Sequence, residues 1–224
     1  MKYRKREQVN YWMSYADLMS ALMLVFILLL SLVILDYREL LAAKEKQIQD
    51  VVSVKTEIIR ALTEAFRDSN LRIEIDQETG AIRFPGSVLF EYNSAELSPE
   101  GKQFLQRFIP QYLKILLQER FRNEISSVII EGHTDQQGTF MYNMNLSQER
   151  AFSVLSYIYS PEFPAFPERT IAQKLITANG RSFSHPIKNE QGEYDPERSR
   201  RVEFLFRLKE DEMIRTIEKL VNDS

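Results

Sequence analysis

Residues 131–151 read EGHTDQQGTFMYNMNLSQERA, and the fold turns on how that stretch divides. The run from Ser127 through Val128, Ile129 and Ile130 leads into Glu131 and Gly132 as a buried strand over 127–132. Downstream, LSQERAFSVLSYIY (146–159) repeats apolar residues at helical spacing, which predicts an amphipathic helix beginning near Leu146 and Ser147, with Arg150 in its first turn. Between them lies a polar loop carrying Thr134, Asp135, Gly138 and Asn143. A loop joining a strand end to a helix start gathers opposite charges beside unsatisfied backbone N–H groups, a setting suited to a small zwitterionic or anionic ligand. The same residues also allow an internal ion pair between Asp135 and Arg150, with Thr134 and Ser147 as caps. His133 reads either as a metal ligand beside Asp135 or as a hydrogen-bonded structural residue at the strand end.

Outward from there, strands alternate with helices. LRIEI (71–75) and AIRF (81–84) flank Gln77, Glu78, Thr79 and Gly80 as a hairpin. Ser98 and Pro99 open a helix as N-cap and first residue, and it continues through FLQRFIPQYLKILLQE (104–119) with a kink expected at Pro110. QKLITAN (173–179) and RVEFLFRL (201–208) are further strands. This order implies an α/β sandwich, helices on a mixed sheet, over 69–208. A short terminal helix is expected over 209–224, where Met213, Ile214, Ile217, Leu220 and Val221 recur at helical spacing.

The 224-residue chain begins with a basic arm (1–10) holding Lys2, Arg4, Lys5 and Arg6, and a single N-terminal transmembrane helix is expected over 11–35. Its apolar core, Leu18 to Leu35, has eighteen residues with Ser20 and Ser31 as the only polar members, and covers about 27 Å as a helix. Tyr11 and Trp12 suit the headgroup level, which puts Asp17 roughly 7 to 9 Å deeper. An ionised aspartate towards the membrane centre costs about 2.5 to 3.5 kcal/mol, so it faces an ion path, a bundle interior or a partner charge. Ser14, Ser20 and Ala21 share its face at i−3, i+3 and i+4, where small side chains let another helix approach. The competing reading makes Asp17 an interfacial cap. Basic residues before the span, against the mixed Asp36, Arg38 and Glu39 after it, predict a cytoplasmic amino terminus. The run exceeds a signal-peptide core and ends in DYREL without a small-residue cleavage site. With no cysteine, the chain offers no acylated anchor, disulfide or thiolate metal site.

A helical linker is expected over 36–68, since Asp36 to Phe66 lacks proline and glycine. Leu41, Ile48, Val51, Ile58, Leu62 and Ala65 form a seam interrupted by Lys44 and Lys55. That seam fits a weak coiled coil and equally an amphipathic helix packed on its own domain.

Lys+Arg 29 against Asp+Glu 32 gives no support to nucleic-acid binding. The chain holds two histidines and lacks G-x-S-x-G, G-x-x-x-x-G-K-[ST] and H-E-x-x-H, so hydrolase-nucleophile, phosphate-loop and zinc templates all fail. No enzyme activity, metal or cofactor is expected.

Gly132-His133-Thr134-Asp135, Gly138, Asn143, Leu146-Ser147, Arg150-Ala151 and Arg200-Arg201-Val202-Glu203, with VLFEYNSAELSPEGKQFL (88–105), resemble the OmpA-like peptidoglycan-binding domain over about Val88 to Phe206. The resemblance implies that Asp135 meets the amine and Arg150 the carboxylate of diaminopimelate in the peptide stem. Thr134, Asn143 and Arg201 would belong to the same site. Ser199 stands where an asparagine is usual and Ala178 where a glycine is usual. SYADLMSALMLVFILLL (14–30) resembles the membrane helix of MotB-type stator subunits, which makes Asp17 the ion carrier. Together these imply a peptidoglycan-anchored subunit of an inner-membrane motor driven by proton motive force. Its partner would be a MotA-like ring, pentameric around a dimer of this chain. The sixteen residues before Asp17 fit a Zorya-type anti-phage motor better than a flagellar stator. A passive tether between membrane and wall is the remaining alternative.

Overall fold

The computed structural model describes residues 11–67, 69 and 71–209, so the basic arm and the expected terminal helix beyond Lys209 lie outside the described residues. Helix α1 runs Tyr11–Phe66, and the chain divides into two compact units, one up to Asp50 and one from Val51. In the first unit, Tyr15–Ala42 is long and apolar enough to cross a membrane and is exposed throughout. Its 28 residues reach about 42 Å as a helix, more than the roughly 30 Å hydrocarbon core, so its ends extend into the headgroups or the helix tilts.

The second unit is built on a five-stranded mixed sheet. Its strands are β1 (Glu74–Ile75), β2 (Ile82–Pro85), β3 (Ile125–Gly132), β4 (Ile176–Gly180) and β5 (Arg201–Leu208), in the order β1-β2-β5-β3-β4. Only β3 and β4 pair in parallel, as the helical crossover between them requires. The helices are α2 (Gly86–Leu89), α3 (Pro99–Leu116), α4 (Phe140–Ile158), α5 (Arg169–Ala172) and α6 (Pro196–Ser199). Alternation along the strands sends Ile82, Phe84, Val128, Ile130, Val202, Phe204 and Phe206 to one face, where α3 and α4 cover them. Phe108 of α3 is the centre of that core, with Phe84, Phe104, Tyr112 and Phe204 all within 5.8 Å centroid to centroid.

Ser98 caps α3 by accepting the Gly101 N–H at 3.0 Å, with Pro99 at the first position, and the helix continues through Pro110. Several boundaries differ from expectation, β3 beginning two residues early at Ile125 and α3 ending at Leu116 among them. Helix α4 starts at Phe140, not near Leu146, because Thr139 is the N-cap, its Oγ1 accepting the Tyr142 N–H at 3.2 Å. Phe140, Met141 and Tyr142 stay exposed, so the first turns of α4 put no apolar stripe on the core and leave no periodic signal. Strand β1 keeps only the last two of the expected residues, 71–75, since the Ile73 N–H turns back to Leu71 O at 3.0 Å instead of joining the ladder; Asp76 Oδ1 then accepts the N–H groups of Glu78 and Thr79 and closes the turn. Strand β4 starts at Ile176, after the turn in which the Leu175 N–H reaches Ala172 O.

The end of α1 belongs to this domain. Ile58, Ile59, Leu62 and Phe66 are buried in its core, and the Phe66 ring lies 5.4 Å from Phe108. Of the expected seam, Ile58, Leu62 and the half-buried Ala65 therefore pack on their own domain. The side chains of Ile48 and Val51 lie outside the described residues. Leu62→Ala is expected to cost about 2 to 5 kcal/mol in denaturant unfolding, as for a core leucine, whereas a solvated linker position would lose less than about 0.5 kcal/mol.

Candidate functional site

Where β3 ends, the chain is pinned on both sides: the His133 N–H donates to Arg201 O at 2.9 Å and the Thr134 N–H to Ser182 O at 3.0 Å. Asp135 follows, its Oδ1 accepting the Gln137 N–H at 3.0 Å. Gly138 then turns the chain at φ +95, a conformation that few side chains tolerate. Asn143 sits inside α4 and donates through Nδ2 to Gln137 O at 2.7 Å and Thr139 O at 3.2 Å, so its side chain shapes the loop. Helix α4 brings Arg150, in its third turn, over the same loop.

Thr134, Asp135, Asn143 and Arg150 line one small cavity of about 50 Å³, with Arg200 as a further wall. Arg150 is almost fully buried; its Nε donates to Ser94 O at 2.9 Å and its guanidinium lies 5.4 Å from the Phe90 ring centre. Burial, then the charge of Arg200, pushes the Arg150 guanidinium below its ordinary pKa. Its terminal nitrogens make no hydrogen bond among the described residues. Thr134 Oγ1 is buried and equally unpartnered. The cavity thus offers two guanidiniums, one carboxylate and one free hydroxyl, which suits a zwitterion bearing a carboxylate.

Two expectations change here. Asp135 does not pair with Arg150: its Oδ2 accepts from Arg200 Nη1 at 2.7 Å, and Thr134 and Ser147 do not act as caps. Ser147 lies mid-helix, donating to Met144 O and accepting the Ser182 N–H at 2.9 Å. Arg201 does not line the cavity. Strand alternation turns it to the opposite face, where its Nε meets Glu203 Oε1 at 2.6 Å and its Nη1 meets His185 O and Ser199 O. Arg200, missed in the sequence, takes its place. The signal was available, because Arg200 shares the parity of Val202, a core residue on the α4 side. Of the two departures from the family pattern, Ala178 lies within β4 with its carbonyl accepting Gln148 Nε2, and Ser199 is buried, its Oγ accepting the Ile187 N–H. Neither lines the cavity.

On the other face, Glu131, His133 and Glu203 converge within 4.8 Å, with His133 Nε2 3.7 and 3.9 Å from the two carboxylates. Each carboxylate is already compensated: Arg181 Nε lies 3.0 Å from Glu131, and Arg83 and Arg201 sit at 2.9 and 2.6 Å from Glu203. A divalent ion would enter among three guanidiniums, so the cluster is a charge-balanced knot rather than a cation site. Both His133 ring nitrogens are buried without partners, and Asp135 is not among the carboxylates beside them. Burial, reinforced by Arg201, pushes the imidazole down to about 3 despite Glu203, so it is neutral.

In the membrane unit Asp17, Ser20 and Ala21 are all exposed. Ser20 Oγ donates to Ala16 O at 2.8 Å, which uses its proton and leaves its oxygen as an acceptor on that face. The Ser14 side chain lies outside the described residues.

His133 gives stability a pH dependence. The unfolded chain takes up a proton near pH 6.5 that the folded chain refuses until about 3, so stability is full above pH 6.5 and falls as pH drops towards 3. Between pH 7 and 5 the loss is about 2 kcal/mol, and His133→Gln should flatten that slope in urea titrations at the two pH values.

An OmpA family model matches residues 89–200, and a model described as membrane MotB of the proton-channel complex MotA/MotB matches residues 2–46. Zorya protein ZorB of Escherichia coli (strain ATCC 8739) is 36% identical over 226 residues, 95% of this chain and 94% of that one. A second ZorB, from Escherichia coli O139:H28 (strain E24377A / ETEC), is 26% identical over 93% of this chain and 85% of its own length. Among solved structures, a MotB-like protein from Desulfovibrio vulgaris overlays with a TM-score of 0.49 at 22% identity, covering 71% of this chain and 94% of that chain. Likeness to ZorB that runs from the apolar helix through the cavity to the last strand leaves one conclusion: the chain belongs to the ZorB family of Zorya proteins, a MotB-type membrane segment joined to an OmpA-like domain.

Proposed function

We propose that this chain is the ion-conducting, wall-anchored subunit of a MotA/MotB-type rotary motor in a Zorya anti-phage system. The observation that carries it is the presence, in one chain, of a carboxylate at the start of a lipid-length apolar helix and a cavity lined by one carboxylate and two guanidiniums. Asp17 works as the ion carrier, alternating between charged and neutral forms against a MotA-like partner. Each unit charge crossing the membrane supplies about 2.3 kcal/mol per 100 mV, and the change of charge alters which packing with the partner is favoured.

Torque needs a fixed point. Asp135 takes the amine and Arg150 the carboxylate of diaminopimelate, with Thr134 donating or accepting beside them and Asn143 holding the loop, so the cell wall keeps this subunit from turning. The chain crosses the inner membrane once, amino terminus in the cytoplasm and OmpA-like domain in the periplasm, as a homodimer inside a ring of five partners. It carries out no catalysis and uses no cofactor. Likeness to ZorB along nearly the whole chain favours the defence role over the flagellar one.

Asp17→Asn keeps shape and hydrogen bonding but cannot cycle charge. At normal expression it should abolish protection in phage plaque assays; protection at the wild-type level would leave only a passive tether. Asp135→Ala and Arg150→Ala should each weaken pull-down by purified peptidoglycan sacculi about 10- to 100-fold, the worth of a charge-assisted hydrogen bond. Wild-type retention by both, with circular dichroism showing an intact fold, would remove the wall-binding assignment.

A further inference from the structure

Arg200 bonds two carboxylates at once: Nη1 to Asp135 Oδ2 at 2.7 Å and Nη2 to Glu197 Oε1 at 2.6 Å. Asp135 is buried, whereas Glu197 is exposed, so the same guanidinium bridges the cavity floor and its rim. Two cavities meet at this point. The one of about 50 Å³ holds Asp135 and Thr134, and one of about 210 Å³ holds Ser87, Glu91 and Glu197. Tyr92, Arg150 and Arg200 line both, which makes the two guanidiniums a shared wall. Arg150 is tied to Ser94 O and stacked on Phe90, and has little freedom. Arg200 has a second acceptor already in hand.

We propose that Arg200 is a displaceable latch that makes the site selective for an amino-acid end group carrying both charges. This rests on the peptidoglycan reading of the same cavity. Arg200 occupies Asp135 in the structure. An incoming ammonium must take its place there, and Arg200 retires to Glu197, still beside Arg150. The displaced guanidinium then has a vacant donor edge, and a carboxylate on the same ligand carbon fills it together with Arg150. An amine without a carboxylate breaks the Asp135 pair, leaves Arg200 held by the exposed Glu197 alone, and gives the buried Arg150 no counter-charge. A carboxylate without an amine leaves the latch shut. Neither gains the full set of contacts, and an unpaired buried charge is the penalty that discriminates.

The test uses the full-length chain in detergent, with calorimetric titration of meso-diaminopimelate, cadaverine (two ammoniums, no carboxylate) and pimelate (two carboxylates, no amine). Wild type should prefer meso-diaminopimelate to either by about 100-fold or more, two charge-assisted hydrogen bonds' worth. In Arg200→Ala the carboxylate of Asp135 stands free, so cadaverine should gain about tenfold while meso-diaminopimelate loses about tenfold, shrinking their ratio about 100-fold. Arg200→Lys keeps a point charge without the fork; it should still exclude cadaverine but bind meso-diaminopimelate about tenfold more weakly, and it decides the matter if the alanine variant does not fold. An unchanged ratio in either folded variant, or an equal loss for all three probes, overturns the latch. Wild-type protein that binds neither meso-diaminopimelate nor sacculi overturns the wall-binding assignment and the latch together, whereas normal wild-type binding with unaltered selectivity in the variants overturns the latch alone.

Discussion

Where α4 crosses the ends of β3 and β4 there is no room for a side chain. A Cβ on Gly132 would run into the Ser147 carbonyl, and one on Gly180 would come 2.6 Å from the Gln148 backbone nitrogen. Backbone meets backbone there, and polar groups fasten the contact. Gln148 Oε1 accepts the Gly180 N–H at 2.7 Å, and Ser147 Oγ accepts the Ser182 N–H. This approach fixes the height and rotation of α4 over the sheet. Arg150 follows Ser147 by roughly one helical turn, so it faces the loop that begins where β3 stops, and the cavity exists because the two glycines let the helix down.

The sheet then separates two charge systems by strand parity. On the helix side, Asp135 and the rim carboxylate of Glu197 share Arg200, while among the described residues Arg150 has no carboxylate at ion-pair distance and the Thr134 hydroxyl is unpartnered. On the other side, Glu131 and Glu203 are matched by Arg83, Arg181 and Arg201, and Asp76 joins Arg83 at 2.7 Å. The first arrangement has donors to spare, and the proposed wall-binding role draws on them. The second has a guanidinium beside each carboxylate and contributes rigidity to the strand ends that hold the loop. One arginine pair in sequence, Arg200 and Arg201, supplies one member to each.

Helix α1 likewise serves two solvents. Its apolar run suits hydrocarbon on every side, whereas its last turns bury one face, Ile58, Leu62 and Phe66, in the core of the OmpA-like domain. The same secondary structure is stabilised by lipid transfer in one stretch and by close packing on aromatic rings in the other. The domain's core therefore begins before its first strand.

The amino-acid order alone was enough for one long apolar helix near the amino terminus, for the strand and helix sequence of a mixed α/β sandwich, and for Asp135, Arg150, Thr134 and Asn143 as neighbours, because each rests on local periodicity, capping chemistry or a motif of fixed spacing. The start of α4 was hidden because its first turns are exposed and leave no apolar repeat. Which carboxylate Arg200 pairs with, and whether the seam at the end of α1 packs on its own domain or on another helix, were decided only by tertiary structure. Those choices depend on strand parity, on the close approach at Gly132 and Gly180, and on contacts between residues more than fifty positions apart, such as Asp135 and Arg200 or Arg150 and Ser94. No local pattern encodes such pairings, since what selects them is the space and charge left over once the sheet and helices have packed.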